Sequence, residues 1–386
     1  MITTGGGRSS SARARWSDLP DDILGTIRLK IASLRDRVRI TAVCRSWRAT
    51  AARLPAPPAA PLLMSPRCQT GGRKHLCSGG LDDSWVLRFP RKVAGKYLLG
   101  SHQGCWIATF DFGARELVLV NLFSGAEVGV WPADPWGDQW SNLFRNVIFL
   151  GDPASSKGCI LATITNNFNN IGLCNVGCRS GWTKHGWENK MFMNIAFCNG
   201  DLYGLMYPGE ELIRFKIGME EDGSPMVTSI HQLAIQRHHD PRVAYNCYML
   251  ELHGKPLKAK RGRWLPNREP FFKVFELHDA DVGHKWVEMS SFGEYALFLG
   301  PASCKAVHVP VGAERRGFER NHIYYFAVTN SKVNNLCGDG VYSLRFDDGR
   351  LIYCKEDQNI GDGLRRTGYY TMGWENMPMW LHPPDL

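Results

Sequence analysis

Residues 16–55 read WSDLPDDILGTIRLKIASLRDRVRITAVCRSWRATAARLP, and this stretch predicts a short helical unit. Its apolar residues recur every four positions, which gives the first helix an apolar face along its whole length. They are Leu19, Ile23, Ile27 and Ile31. Three helices in about 40 residues are too few to bury all of this apolar surface. The helical unit is therefore predicted to dock on a partner.

The order of residues in this stretch resembles the F-box. Leu19-Pro20 opens the first helix, and VCRSWR at 43–48 lies near the end of the unit. An F-box binds a Skp-type adaptor, which connects it to a cullin and a RING subunit of a ubiquitin ligase, so the resemblance implies the same partner here. The positions that would face the adaptor, or hold the helices that do, are Leu19, Pro20, Ile23, Leu24, Ile27, Val43, Cys44 and Trp47. The alternative is a plain three-helix fragment packed on the rest of the chain.

Positive charge is concentrated near the N-terminus. Residues 1–61 carry 11 basic and 4 acidic side chains, net +7, whereas the other 325 residues carry 35 and 33, net +2. A nucleic-acid-binding surface needs basic residues gathered with aromatic residues or in a known motif, so no nucleic-acid role is predicted. The basic side chains of the helical unit are instead expected to form a solvated rim that attracts an acidic partner. They are Arg28, Lys30, Arg35, Arg37 and Arg39.

The remaining compositional features predict a protein of the cytoplasm or nucleus. Residues 1–15 are rich in Gly, Ser and Arg, and a disordered tail without the apolar core of a signal peptide is expected there. The sequence has no run of about 18 apolar residues, so no membrane span is predicted. The 12 cysteines are scattered along the chain, which is typical of reduced thiols.

A proline-rich segment follows the helical unit. Residues 54–66 read LPAPPAAPLLMSP, and repeated proline opposes both helix and sheet. We therefore expect a stiff linker at 56–66, between an F-box at 16–55 and a second domain at 67–386.

The second domain is predicted to be all-β, so the whole chain is predicted to be an α+β multidomain protein. Short alternating runs predict strands at 116–122, 158–165, 211–217, 271–277, 322–328 and 341–346. Turn signals separate the runs. They include Ser124-Gly125, Asn199-Gly200, Asp222-Gly223, His253-Gly254 and Asp347-Asp348-Gly349.

A nine-residue spacing recurs in this domain and indicates a repeat. It separates Leu122 from Trp131, Leu173 from Trp182, Leu277 from Trp286 and, with tyrosine in place of tryptophan, Leu344 from Tyr353. Each spacing fits a strand, a turn and a second strand, and the first three pairs follow one another at one or two multiples of about 50 residues. This repeat length predicts a β-propeller of six or seven blades. A pair of large β-sandwiches is the alternative.

Three runs in the second domain resemble the KIB-type β-propeller of plant F-box proteins, a domain family of unknown function. They are AFCNGDLYGLM at 196–206, FKVFELHDADVGHKWVEMSSFGEYALFLG at 272–300 and RNHIYYF at 320–326. The resemblance spans most of residues 85–360. It implies a propeller fold and a plant substrate receptor, without a known target.

Two clusters of polar residues are candidates for a metal or catalytic site. The first is Cys174, Cys178 and His185. Structural zinc sites use four ligands and no second pair is apparent, so buried cysteines without a metal are predicted. The second is His231, His238, His239 and Asp240, which could form a metal or acid/base cluster. A polar loop before Pro241 explains these residues equally well.

A loop predicted at 254–268 is the candidate for target recognition. It reads GKPLKAKRGRWLPNR and lies between the predicted strands YMLEL and FFKVFEL. Long loops in compact domains are usually functional or disordered, and basic residues around one tryptophan suit an acidic or phosphorylated partner. The candidate residues are Lys258, Lys260, Arg261, Arg263 and Trp264. The alternative is a solvated basic loop with its tryptophan in the core.

Together these patterns predict a non-catalytic substrate receptor of a Skp–cullin–F-box ubiquitin ligase that uses no cofactor. Its mechanism would be to hold a target protein near the ubiquitin-loaded enzyme. One alternative is an F-box scaffold that acts outside ubiquitin transfer. Another is a propeller hydrolase, although the sequence has no Gly-x-Ser-x-Gly, His-Glu-x-x-His or P-loop motif.

Overall fold

The computed structural model divides the chain into two compact units. One contains the N-terminal segment up to Ala59 together with the last two residues, and the other runs from Ala60 to Pro384. The structure describes residues 16–31, 34–54, 61–64, 73–77, 84–90, 93, 95–111, 113–130, 146–155, 158–165, 169–178, 181–186, 190–207, 211–236, 243–263, 270–309, 318–329, 341–346, 349–356, 364–372 and 379–383. Residues 1–15, where the tail was expected, lie outside these ranges. None of the helices described is long and apolar enough to cross a membrane.

Three helices form the N-terminal unit, as the sequence predicted. They are α1 (Asp21–Lys30), α2 (Leu34–Val43) and α3 (Arg45–Arg53). Leu24, Ile40 and Trp47 form the buried core of the unit, one residue from each helix. Packed against this core are Leu19, Ile27, Ile31 and Cys44. The apolar residues that recur along α1 are therefore divided between this small core and the surface.

The second unit is built of β-strands. In chain order they are β1 (Leu62–Met64), β2 (Arg73–Cys77), β3 (Ser84–Arg88), β4 (Tyr97–His102), β5 (Trp106–Asp111), β6 (Glu116–Asn121), β7 (Glu127–Val130), β8 (Val147–Leu150), β9 (Ile160–Ile164), β10 (Asn170–Asn175), β11 (Thr183–Gly186), β12 (Phe192–Cys198), β13 (Asp201–Met206), β14 (Leu212–Met219), β15 (Pro225–Gln232), β16 (Val243–Leu252), β17 (Lys255–Arg263), β18 (Pro270–Asp279), β19 (His284–Met289), β20 (Tyr295–Leu299), β21 (Cys304–His308), β22 (His322–Thr329), β23 (Val341–Phe346), β24 (Gly349–Glu356), β25 (Arg365–Met372) and β26 (Met379–Leu381).

These strands form six sheets. Four are antiparallel sheets of consecutive strands, β4–β7, β8–β11, β12–β15 and β16–β19. A fifth four-stranded sheet has the order β26-β1-β2-β3. The sixth has the order β21-β20-β22-β25-β24-β23, in which β22 pairs in parallel with both β20 and β25.

One edge strand of each sheet contacts an edge strand of the next sheet, around a common centre. Contacts run from β26 to β4, then to β8, β12, β16 and β21. The order returns to its start at Trp380 in β26, whose indole Nε1 donates to the carbonyl of Leu299 in β20 at 3.2 Å. Several four-stranded sheets arranged in this way are consistent with a β-propeller, as the spacing of the sequence predicted.

One end of the predicted linker is in fact part of the second unit. Leu62–Met64 forms β1, with Leu63 paired to Trp380 on one side and to Cys77 on the other. All three residues of β1 are buried. The prediction of a linker reaching residue 66 is therefore wrong at its C-terminal end. Prolines flank β1 at 61 and 66, but the three apolar residues between them keep the N–H groups that sheet pairing needs.

All six strands predicted from alternation are present, and the nine-residue spacing has a structural basis. Leu277 in β18 pairs directly with Trp286 in β19, the third and fourth strands of their sheet. Leu173 and Trp182 lie at the corresponding hairpin between β10 and β11. The doubled interval between these pairs contains the sheet β12–β15. Trp131 and the turn at Asp347-Asp348 lie outside the described residues.

Candidate functional site

The residues predicted to bind an adaptor separate into a buried set and an exposed set. Leu24 and Trp47 belong to the core, so they hold the helices together. Pro20, Ile23 and Val43 are exposed, with 45% of the accessible surface of Ile23 and 56% of that of Val43 facing solvent. Leu19, Ile27 and Cys44 are half-buried. Trp16 and Val38 are further exposed apolar side chains of this unit. So small a unit thus retains considerable apolar surface that a partner could cover.

Cys44 and Trp47 orient the third helix. The Cys44 sulfur accepts a hydrogen bond from the backbone N–H of Trp47 at 3.5 Å and so caps the start of α3. The Trp47 indole Nε1 donates to the carbonyl of Trp16 at 3.0 Å. Thr50 donates from its hydroxyl to Asp21 Oδ1 at 2.6 Å, which joins α3 to the start of α1. The Cys-x-x-Trp pattern is therefore a packing and capping motif in this structure.

The predicted basic rim is wrong for two of its five members. Arg28 is buried, and its guanidinium donates to the carbonyls of Ala51 and Leu54 at the end of α3. Arg37 is also buried and donates from Nε to the carbonyl of Ile31 at 3.0 Å. The C-terminal carbonyls of a helix lack intrahelical donors, so a nearby guanidinium satisfies them. Lys30 and Arg39 are exposed, and the side chain of Arg35 lies outside the described residues.

The projecting loop predicted at 254–268 is also wrong. Lys255–Arg263 forms β17, which lies between β16 and β18 in the middle of a four-stranded sheet. The turn occurs earlier, at His253 and Gly254, where φ is 53° and 77°. Two consecutive residues with positive φ are typical of a tight hairpin turn. Trp264 lies outside the described residues.

Lys258 and Lys260 are buried in this sheet, with only 1% of Lys258 exposed. The Lys258 Nζ lies 4.3 Å from the ring centroid of Trp286 and 5.2 Å from that of Phe275. The guanidinium of Arg261 lies 4.9 Å from the ring centroid of Tyr325. Aromatic faces attract such cations, which allows basic residues to occupy a central strand. The recognition hypothesis therefore loses its structural basis for the two buried lysines, and it stays a prediction for the half-buried Arg261 and for Arg263 and Trp264.

Neither candidate cluster forms a potential metal site among the residues that the structure describes. Cys174 is buried, and burial raises the pKa of its thiol to about 12. His185 Nε2 lies 3.2 Å from the Thr183 hydroxyl. His231 is exposed on β15, 3.0 Å from the hydroxyl of Ser229, while the other three members of its cluster lie outside the described residues. Within the described ranges, no three His, Cys, Asp or Glu residues gather into a potential metal site.

A cavity of about 350 Å³ lies at the centre of the second unit, and no motif of the sequence indicates it. Residues of β4, β8, β12, β16 and β21 line it, together with the turn between β20 and β21 and His382 just after β26. These residues are spread over most of the chain and share no motif. Only the arrangement of the sheets around one centre brings them together.

The fold thus defines a protein of two parts, an N-terminal helical unit with exposed apolar side chains and a larger unit of sheets around a central cavity. The model of the KIB1-4 beta-propeller family matches residues 80–357, and the chain belongs to this family. This match confirms the resemblance seen in the sequence.

Two similar proteins are named as F-box proteins, and one of the two names also mentions kelch repeats. The chain is similar to an F-box protein of Arabidopsis thaliana, with 24% identity over 88% of this chain and 93% of the relative. It is also similar to an F-box/kelch-repeat protein of Arabidopsis thaliana, with 23% identity over 96% of this chain and 95% of that one. Among solved structures, virginiamycin B lyase from Staphylococcus aureus has 11% identity and a TM-score of 0.32 over 85% of each chain. At that score the likeness says nothing about function.

Proposed function

We propose that this chain is the substrate-recognition subunit of a Skp–cullin–F-box ubiquitin ligase. The observation that carries the proposal is the helical unit, in which α1 and α2 leave Ile23 and Val43 exposed although their apolar neighbours form a core. Relatives that are named as F-box proteins match this chain over nearly their whole length, and this supports the same proposal. In this proposal the chain acts in the cytoplasm or nucleus, uses no cofactor and has no catalytic residues of its own.

The proposed mechanism is positioning. The helical unit would bind the Skp-type adaptor, and the propeller would bind a target protein, so that ubiquitin transfer to the target becomes effectively intramolecular. In the adaptor surface, Pro20, Ile23 and Val43 would supply direct contacts. Leu19, Ile27 and Cys44 would contribute their exposed parts, while Leu24 and Trp47 would hold the helices in place.

We further propose that the propeller has six blades. Six sheets contribute strands to the ring of contacts from β26 through β4, β8, β12 and β16 to β21, and each would be one blade. Seven blades would require the six-stranded sheet β20–β25 to divide into two, whereas β22 pairs continuously with both β20 and β25.

The adaptor proposal is tested by placing charge on the exposed apolar residues. We expect the double variant Ile23→Glu, Val43→Glu to lose adaptor binding, because truncating or charging a buried interface anchor commonly costs about 2–4 kcal/mol, roughly a thirtyfold to thousandfold loss of affinity. Both side chains are exposed, so the helical unit should still fold. The measurement is the dissociation constant for a purified plant Skp-type adaptor.

A matched control adds the same charges elsewhere on the unit. Ala49 and Ala52 are exposed on α3 and are not among the predicted adaptor residues. Their double change to Glu should leave adaptor binding within about threefold, well under the effect of one interface anchor. Equal affinities in the two double variants would contradict the assigned surface. Adaptor binding without ubiquitin transfer in a reconstituted ligase would instead favour the scaffold alternative.

A further inference from the structure

Buried polar side chains line the central cavity, and two of them, Asn194 and Ser303, form hydrogen bonds with the backbone. Asn194 uses both ends of its amide with backbone groups, at 3.3 Å and 2.9 Å. The Ser303 hydroxyl donates to the carbonyl of Trp380 at 3.2 Å. Asn146 differs: it is only 5% exposed, and its Oδ1 has no hydrogen-bond partner among the described residues. A buried acceptor without a donor is costly, so this oxygen favours a ligand that carries an N–H or O–H group.

A basic group and two imidazoles lie on one side of the same cavity. Lys305 in β21 donates from Nζ to the side-chain oxygen of Gln103 at 3.2 Å. Burial, and then the charge of Lys305, lower the pKa of His102 to about 4 and that of His382 well below its ordinary value. Both rings are therefore neutral near pH 7 and can each donate one N–H. The positive charge on this side of the cavity belongs to Lys305.

Two acidic residues also lie near the cavity, Glu251 and Asp152. Glu251 lines the cavity from β16, but its Oε1 accepts the backbone N–H of Gly254 at 3.1 Å, which holds the carboxylate at the hairpin turn. Asp152, which follows β8, partly opposes the lowering of the His102 pKa. His253, beside Glu251, packs edge-on against Tyr295 with ring centroids 4.9 Å apart. Asp152 therefore acts on the side of the cavity formed by β4, β21 and the end of β26, and Lys305 is the one lysine or arginine among the residues that line the cavity.

We propose that this cavity binds a small organic anion. The carboxylate or phosphate of the ligand would lie beside Lys305 and accept hydrogen bonds from His102 and His382, and a hydroxyl or amine of the ligand would donate to Asn146. A cavity of about 350 Å³ is within the range of small-molecule sites. This inference does not depend on the ligase function.

Titration of the full chain with inorganic phosphate, succinate and malate tests the site. We expect saturable binding by calorimetry, together with an upward shift of the His102 pKa in ring NMR spectra, because a nearby anion stabilises the charged imidazole. Lys305→Met should weaken binding by about tenfold or more, since it removes a charge-assisted contact. Lys285→Met is the matched control, because Lys285 is an exposed lysine of β19 that does not line the cavity, and it should bind as the unaltered chain does.

The probes separate the possible ligand groups. Tighter binding of phosphate indicates a phosphate ligand, and tighter binding of the dicarboxylates indicates a carboxylate. Malate and succinate differ by one hydroxyl, so malate should bind more tightly, and Asn146→Ala should remove that difference. Equal binding of the two dicarboxylates by the unaltered chain overturns the role of Asn146.

The proposal as a whole is overturned if none of the three anions binds saturably at millimolar concentration. It is also overturned if Lys305→Met binds them with unchanged affinity. Thermal unfolding of each variant checks the fold. If Lys305→Met does not fold, Lys305→Gln replaces it, since Gln retains a polar group near Gln103 while losing the charge.

Discussion

At the scale of single residues, His102 shows how burial and charge act on one side chain. Its ring stacks on Phe149 with centroids 5.2 Å apart and planes 17° apart. Burial is the main cause of its pKa of about 4, the charge of Lys305 adds to the effect, and Asp152 partly opposes it. The native state therefore excludes a proton that an exposed histidine would bind near pH 6.5. Because the native state excludes this proton, the stability of the second unit depends on pH.

We predict that the second unit becomes less stable as the pH falls from about 7 to about 5. In this interval the unfolded chain binds a proton at His102 and the native state does not, so the free energy of unfolding decreases. His102→Gln should make that decrease smaller, and His231→Gln, at an exposed site, should not. Urea unfolding at the two pH values measures the effect. A His102→Gln variant with the same pH dependence as the unaltered chain would contradict the prediction.

Buried cations are the residues that sequence reasoning placed least well. Lys258 and Arg28 both occur in runs rich in basic residues, and such runs usually lie in solvent. Two aromatic rings, from β18 and β19, stabilise the buried Lys258. Two carbonyls at the end of α3 accept hydrogen bonds from the buried Arg28. These partners lie far along the chain or belong to the backbone, so no local pattern of residue types reveals them.

At the scale of elements, β1 has a clear structural role although it is only three residues long. It lies between β2 and β26, so the sheet near the N-terminal end of this unit includes the strand nearest its C-terminal end. Its three side chains are buried, with Leu63 in a cluster that also contains Trp380 and Phe298. Removing β1 would leave one edge of β2 and one edge of β26 without a partner.

We predict that a chain beginning at Ala60 folds and that a chain beginning at Arg67 does not fold stably. The two differ by β1, and each fully buried Leu or Met side chain contributes roughly 1.5–3 kcal/mol, so the loss is comparable with a typical total stability of about 5–15 kcal/mol. Urea unfolding followed by tryptophan fluorescence compares the two chains. Equal unfolding midpoints would show that β1 is dispensable.

The strands themselves were predictable because their signals are local. Alternating apolar residues and turn residues identified β6, β9, β14, β18, β22 and β23 with ends within a few residues of those in the structure. β17 was not predicted as a strand because its Lys and Arg residues mask the alternation of apolar and polar residues that identified the other strands. The central cavity was missed for another reason, since residues between Ser101 and His382 form it only after the sheets assemble.

At the scale of the whole molecule, the chain consists of two compact units, each with its own core. The helical core contains Leu24, Ile40 and Trp47, while the cores of the second unit lie between neighbouring sheets. Separate cores mean that a change inside one unit should leave the stability of the other unchanged.

We predict that Arg28→Ala destabilises the helical unit alone. The change leaves two carbonyls at the end of α3 without their donor, at a cost of about 2–3 kcal/mol. Arg39→Ala is the control, because Arg39 is exposed and only pairs with Asp36 within α2. Calorimetry should show the transition of the helical unit at a lower temperature in Arg28→Ala and that of the second unit unchanged. A joint shift of both transitions would mean that the units are coupled.

The pairing of β1 with β26 also bears on how the chain folds as it leaves the ribosome. Leu62–Met64 is translated early, but its partner Met379–Leu381 follows only after all the other strands. At ordinary rates of synthesis β1 therefore waits on the order of tens of seconds for that partner. Throughout this interval the nascent sheets keep open edges that can pair wrongly or be bound by chaperones. Completion of this sheet therefore has to wait for residues 379–381, and a chain that stops before them leaves β1 with an unpaired edge.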